Sequence, residues 1–164
     1  MMLELQNMGC HNINLVTPSH QVYAILRALE IAIANGLKIP IVYNTSSYDS
    51  VETLKLLEGI VDIYMPDIKY GSNENALKYS NARNYFDIAK AAVKEMHSQV
   101  GDLIIEKGLA KRGLLVRHLV LPNNLAESEE VIKFLATLSR NTFVNIMDQY
   151  YPCYKAFNYP ELAR

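Results

Sequence analysis

Apolar positions along this chain alternate between two rhythms. Short unbroken runs rich in Ile, Val and Leu predict strands buried on both faces. Longer stretches whose apolar positions return every three or four residues predict amphipathic helices. Residues 1–8 read as the end of a helix stopped by Gly9. Residues 12–17 read as a strand closed by Pro18. Ser19 is expected to cap a helix that turns Val22, Ile25, Leu26, Leu29 and Ile33 inward and stops at Asn35-Gly36. Residues 39–44 form the second predicted strand, with Thr45-Ser46-Ser47 as a polar loop at its carboxyl end. Ser50 then caps a short helix carrying Val51, Leu54 and Leu57, ended by Gly59.

Residues 61–70 organise the rest. Val61 to Met65 has the composition of a buried strand, and Pro66, which has no amide hydrogen to donate, ends regular pairing. Asp67 and Lys69 follow two residues apart and share one side of an extended chain. Residues 71–75 are expected to be a polar loop. A helix from about Asn84 directs Ile88, Ala91, Ala92, Val93 and Met96 inward. Residues 103–105 and 109–110 predict a small hairpin around Glu106-Lys107-Gly108. Residues 114–121 form the most strand-like run. Glu127, Glu129 and Glu130 open a helix through Leu138, favoured by its dipole, and residues 142–147 form the last strand. In the tail, Tyr154, Phe157 and Tyr159 are expected to pack as a partly irregular cover.

Strand and helix alternate with short connections, so a parallel sheet with helices outside is the economical arrangement. A complete eight-unit barrel takes about 250 residues. The 164 residues here predict an α/β fold of one domain, a partial TIM-like β/α barrel with a mostly parallel sheet.

Composition narrows the partners. Half the residues are hydrophobic, enough for a core, and the net charge of −1 gives no pull towards nucleic acid or an anionic membrane surface. No apolar stretch reaches bilayer-spanning length and no secretory pattern opens the sequence, so a cytoplasmic protein is the expectation. Cys10 and Cys153 stand near opposite ends of the chain and form neither a zinc motif nor a disulfide framework. Both read as buried or half-buried thiols.

The predicted strand ends bring Thr17, Asn44 with Thr45, Asp67 with Lys69, Arg117 with His118, and Asp148 with Tyr150 to one rim. Convergent polar groups at such a mouth are the default ligand site. The Asp67–Lys69 pair also reads as a structural ion pair, and His118 as a hydrogen-bonded core histidine. Arg117, inside a buried strand, requires an anion or several acceptors. His11, Asn12 and Asn14 read as structural, at the strand start or on the far face.

Residues 9–18, 41–46, 62–70, 113–122 and 145–150 together resemble the pyruvate formate-lyase activating enzyme-like branch of the radical SAM superfamily. The resemblance implies a partial (β/α)6 barrel and an oxidoreductase that cleaves S-adenosylmethionine at a 4Fe–4S cluster to release a 5′-deoxyadenosyl radical. It implies that Thr17, Asn44, Thr45, Asp67, Lys69, Arg117 and Tyr150 line the S-adenosylmethionine pocket. A glycyl-radical enzyme or other protein is the implied substrate. The sequence departs from the family in lacking the CxxxCxxC segment. The chain therefore looks like the C-terminal part of such a protein, without the first strand and cluster loop, and is expected to be inactive alone. Two further readings stay open. One is a non-catalytic scaffold that completes its sheet with a separately encoded N-terminal piece or a second copy in a homodimer. The other is Schiff-base chemistry at Lys69.

Overall fold

The computed structural model describes residues 1–163. In chain order the elements are α1 (Met2–Asn7), β1 (Ile13–Val16), α2 (Val22–Ala34), β2 (Ile41–Thr45), α3 (Val51–Lys55), β3 (Ile63–Pro66), α4 (Asn73–Ser80), α5 (Tyr85–Val100), β4 (Ile104–Glu106), β5 (Leu109–Leu119), α6 (Ser128–Leu138) and β6 (Phe143–Met147). Two 3-10 turns, Tyr154–Asn158 and Pro160–Leu162, make up the tail.

β1, β2, β3, β5 and β6 lie side by side in chain order, each parallel to its neighbour, and β4 pairs antiparallel with the first part of β5. The fold is mixed α/β with a mostly parallel six-stranded sheet. The sheet does not close on itself: among the described residues β1 pairs only with β2, and β6 only with β5.

Period-two alternation sorts the strand residues onto two faces. Tyr43, Tyr64, Leu114 and Val116 join Leu54 of α3, Ala92, Val93 and Met96 of α5, and Val131 and Leu135 of α6 in the main core. A second cluster packs Ile13 and Ile41 against Leu29 and Ala32 of α2, with Met2, Leu3 and Leu5 of α1 leaning on it. The helices therefore cover one face. Pairing registers place Asn14, Val16, Val42, Asn44, Ile63, Met65, Leu115, Arg117 and Asn145 on the other. At its centre Val42 and Ile63 are buried, while Val16 at its margin is 66% exposed.

Two glycines fix how the connections pass one another. A Cβ on Gly71 would sit 2.5 Å from the Glu127 carbonyl oxygen, where the loop after β3 crosses the start of α6. Gly113, at φ 120, carries β5 past the Asp102 backbone too closely for any side chain.

Several expectations need correction. The predicted loop at 71–75 is the start of α4, because Ser72 caps it by accepting a hydrogen bond from the Asn75 amide. Ser19 does not cap α2; its hydroxyl donates to Asp49 Oδ1 at 2.5 Å, and a 3-10 turn precedes the helix. On α2 the buried stripe runs through Val22, Leu29 and Ala32, leaving Ile33 54% exposed. On α5 Ala92, Val93 and Met96 are buried as expected, Ile88 is half-buried and Ala91 faces outward, while Tyr85, Ala89 and Val100 are buried in addition. The hairpin's second arm and the long strand are one element, β5. Tyr154 and Phe157 project into solvent, and the tail is held instead by buried Leu162 and by Tyr159 against Tyr79. Cys153 is exposed.

Candidate functional site

Four side chains from three neighbouring strands meet on the helix-free face at the carboxyl rim. Asn44 closes β2, Asp67 follows β3 directly, and Arg117 stands in β5 opposite Asp67 across an isolated bridge. Arg117 Nε donates to Asp67 Oδ1 at 2.6 Å and Nη2 donates to Asn44 Oδ1 at 3.0 Å. Lys69 Nζ donates to Asp67 Oδ2 at 2.9 Å. The backbone clamps the same points, with Asp67 N donating to Thr45 O at 2.8 Å and Ile68 N to Arg117 O at 3.0 Å. One carboxylate thus orients two cations, and the anion demanded by a guanidinium in a strand is met by Asp67.

The network is reachable. The Lys69 side chain is 49% exposed and that of Arg117 is 28% exposed. A cleft of about 450 Å³ opens beside them, lined by Asp67, Lys69, Arg117, Leu119, Met147 and Tyr150 among others. Leu119 of β5 and Met147 of β6 give it an apolar wall, and Arg117 of β5 and Lys69 after β3 bring two cations to it beside the Asp67 carboxylate. Such a cleft suits a ligand with a carboxylate at one end and a larger, less polar body.

The other rim residues divide. Tyr150 lines the cleft, but its hydroxyl donates to Leu162 O at 2.9 Å, which ties it to the tail. Thr17 meets Asn44 only through its amide, which donates to Asn44 O at 2.8 Å. Its own backbone is left-handed, at φ 53, and its side chain is exposed. Thr45 turns to the helix side, where its hydroxyl and those of Ser19 and Tyr43 all donate to Asp49 at 2.5 to 3.0 Å. Asp49 is 4% exposed. Burial first, then the Asp49 charge, pushes the Tyr43 phenol far above its ordinary pKa, so it remains a donor.

His118 is 1% exposed, with Nδ1 2.6 Å from Ile68 O and Nε2 2.8 Å from Ser128 Oγ. It is the hydrogen-bonded core histidine of the sequence reading, and it faces away from Arg117. Asn14, read from the sequence as facing away, stands on the site's face beside Val42 and is exposed. The sequence reading missed Asp49 and Tyr85. The Tyr85 hydroxyl shares its one hydrogen between Ser46 O and Asp67 O and accepts from the Lys69 amide, at 2.9 to 3.0 Å, which holds the Asp67–Lys69 segment in place. Both lie in loop or helix-start positions that no strand-end rule selects.

Among the described residues no three His, Cys, Asp or Glu side chains gather as a metal site. No helix in them is long and apolar enough to cross a membrane.

Compared with known proteins, the chain is 36% identical over 156 residues to an uncharacterized protein of Methanocaldococcus jannaschii. The match covers 93% of this chain and 41% of that protein's length. No protein-family model matches, and no solved structure matches.

Proposed function

We propose that this chain is part of a radical SAM protein of the pyruvate formate-lyase activating enzyme-like branch, and that its rim binds S-adenosylmethionine. The observation that carries the reading is the joined Asn44–Arg117–Asp67–Lys69 network at the carboxyl ends of consecutive parallel strands, beside an open cleft. On this reading the open sheet is a segment of a (β/α)6 barrel, its helix-free face being the barrel interior.

The donor set fits the amino-acid end of S-adenosylmethionine. Asp67 holds Arg117 through Nε and Lys69 through one ammonium hydrogen, leaving Arg117 Nη1 and the remaining Lys69 hydrogens for a ligand carboxylate. Leu119, Met147 and Tyr150 give the adenosyl portion an apolar wall. When bound and reduced, S-adenosylmethionine supplies a 5′-deoxyadenosyl radical; these residues bind and orient it.

The 4Fe–4S cluster is another matter. Three thiolates are needed, and this chain has two cysteines, Cys10 ahead of β1 and Cys153 beyond β6. They do not fit a cluster, and on this reading its ligands would have to come from outside these residues.

Amide chemical shifts recorded during titration with S-adenosylmethionine and S-adenosylhomocysteine test the proposal. Perturbations centred on Asn44, Asp67, Lys69 and Arg117 are expected with both compounds. An unchanged spectrum at millimolar ligand overturns it. Iron and sulfide content after anaerobic reconstitution is expected to be near zero; a cubane signal would show that residues of this chain do ligate a cluster.

A further inference from the structure

Lys69 lines a second opening besides the cleft it shares with Arg117, and that opening has its own chemistry. It encloses about 250 Å³ between the loops after β2 and β3 and the connection from α4 to α5. One tyrosine from each of these segments meets there. The Tyr85 ring stacks on Tyr48 at 6.0 Å and 24°, and meets Tyr70 edge-on at 6.0 Å and 88°. All three hydroxyls are engaged: Tyr48 donates to Arg83 O, Tyr70 shares a bond with Ser80 Oγ, and Tyr85 is held by Ser46 O and Asp67 O. The rings are therefore fixed and offer their carbon surfaces to a guest. Burial raises the Tyr85 and Tyr70 phenols above their ordinary pKa, so neither is charged near neutral pH.

Two polar groups of the lining keep free capacity. Ser46 gives its carbonyl to Tyr85, while its hydroxyl has no partner among the described residues. Lys69 gives one ammonium hydrogen to Asp67 and has two left. Asp67 also faces Arg117, so those three side chains carry one net positive charge. Arg83, next to Ala82 of the lining, adds a further cation to the same connection. The buried acid beside Tyr48, Asp49, is taken up by three hydroxyls on the helix side. Tyrosine faces attract quaternary ammonium groups, but an excess of positive charge at this box opposes a cation and favours a ring that bears an anion. Size sets the rest. A dry cavity of about 150 Å³ holds benzene, so the opening takes one ring with a short acidic arm.

We infer that this opening is a binding site for a small aromatic carboxylate, with the ring among Tyr48, Tyr70 and Tyr85 and the carboxylate accepting from Lys69 Nζ and Ser46 Oγ. The site is independent of the S-adenosylmethionine reading, since neither Asn44 nor Arg117 lines it.

Phenylacetate is the probe, followed by amide and tyrosine-ring chemical shifts of the full chain. Acetate, phenol and benzyltrimethylammonium are the controls, lacking in turn the ring, the carboxylate and the negative charge. Saturable shifts at Ser46, Tyr48, Lys69 and Tyr85 are expected with phenylacetate, with smaller ones at Asn44 and Arg117. The dissociation constant should be roughly 1 mM, ordinary for about ten non-hydrogen atoms. Phenol is expected to bind about fivefold more weakly, and acetate to leave the tyrosine rings unmoved. Lys69→Met keeps the stem and removes the ammonium, so it should weaken phenylacetate about fivefold and leave phenol unchanged. Tyr48→Ala, at a ring 43% exposed, gives an independent variant and should weaken both compounds. Absence of shifts at roughly 20 mM phenylacetate, well above that constant, overturns the inference. Undiminished phenylacetate binding by Lys69→Met overturns it too, as does tighter binding of benzyltrimethylammonium. Shifts confined to Arg117, Leu119 and Met147 would place the carboxylate in the other cleft and overturn it as well.

Discussion

Asn44 and Thr45 are adjacent in one strand, as are Arg117 and His118 in another, yet each pair divides between two different environments. Asn44 and Arg117 point to the helix-free face, where they join Asp67 and Lys69 in a half-exposed network beside a cleft. Thr45 and His118 point to the helix side, where Asp49 takes three hydroxyls and His118 is bonded at both ring nitrogens. Both sides are hydrogen-bonded. Only one retains free donors and an opening through which a ligand can reach them. Polarity at a strand end is therefore not enough to mark a site; the face decides.

The comparison is sharpest where stability and ligand response should separate. Asp49→Ala should have the largest effect on stability, about 3 kcal/mol, because it strands three buried or half-buried hydroxyls and opens a small void. A urea midpoint measures it, and a loss below about 1 kcal/mol would mean that the closed side is not the structural one. His118→Leu should cost about 2 kcal/mol by leaving Ile68 O and Ser128 Oγ without their partner. Its S-adenosylmethionine-dependent shifts should be retained. Arg117→Met should do the reverse: a stability change of roughly 1 kcal/mol, given the exposure of the pair, together with loss of the ligand-dependent shifts at Asp67 and Asn44. If Arg117→Met proves as destabilising as Asp49→Ala, the contrast between the two sides collapses.

A smaller effect sits where the two sides meet. Thr17 holds φ 53, a region costly for a β-branched residue. Thr17→Gly should raise stability by about 0.5 kcal/mol, the relief of strain being partly offset by glycine's greater freedom in the unfolded chain. A lowered thermal midpoint would show that the threonine side chain makes contacts that matter.

The smallest effect belongs to the tail. Glu161 accepts from Lys78 at 2.7 Å and from Tyr79 at 2.8 Å, and these bonds, with Lys78's first, lower its carboxyl from 4.5 to about 2. A depressed carboxyl contributes stability that is complete above its unfolded value and lost as pH falls through its folded one. The tail should therefore stay pinned from neutral pH to about 4.5 and release progressively towards pH 2. Lys78 is raised by the same bond, so the contribution on that side is present below the ordinary lysine value and lost only in strong alkali. Exchange at the Leu162 amide, which donates to Tyr159 O, reports the release. Glu161→Gln should abolish the acid transition.

Much of this was legible in the order of residues. The alternation of apolar runs with helical stripes gave five of the six strands close to their observed places, and the β4 hairpin arm as well. Those signals are local, since a buried strand or an amphipathic helix must write its periodicity into adjacent positions. Asp67, Lys69 and Arg117 stood out for the same reason, being charges set in or directly after apolar runs. α4 was not legible, because its composition is polar and its helix rests on its caps, Ser72 and the left-handed Asn81, and a few contacts rather than a stripe. Nor was the division between Asn44 and Thr45, or the gathering of Ser19, Tyr43 and Thr45 on Asp49. Those depend on which face the helices cover and on a loop folding back from β2, and both are set by long-range packing. The sequence by itself determined the elements, their parallel order and the charged candidates. Tertiary structure alone decided which candidates share a cleft and which are sealed beneath helices, because the face each side chain takes depends on where distant helices pack.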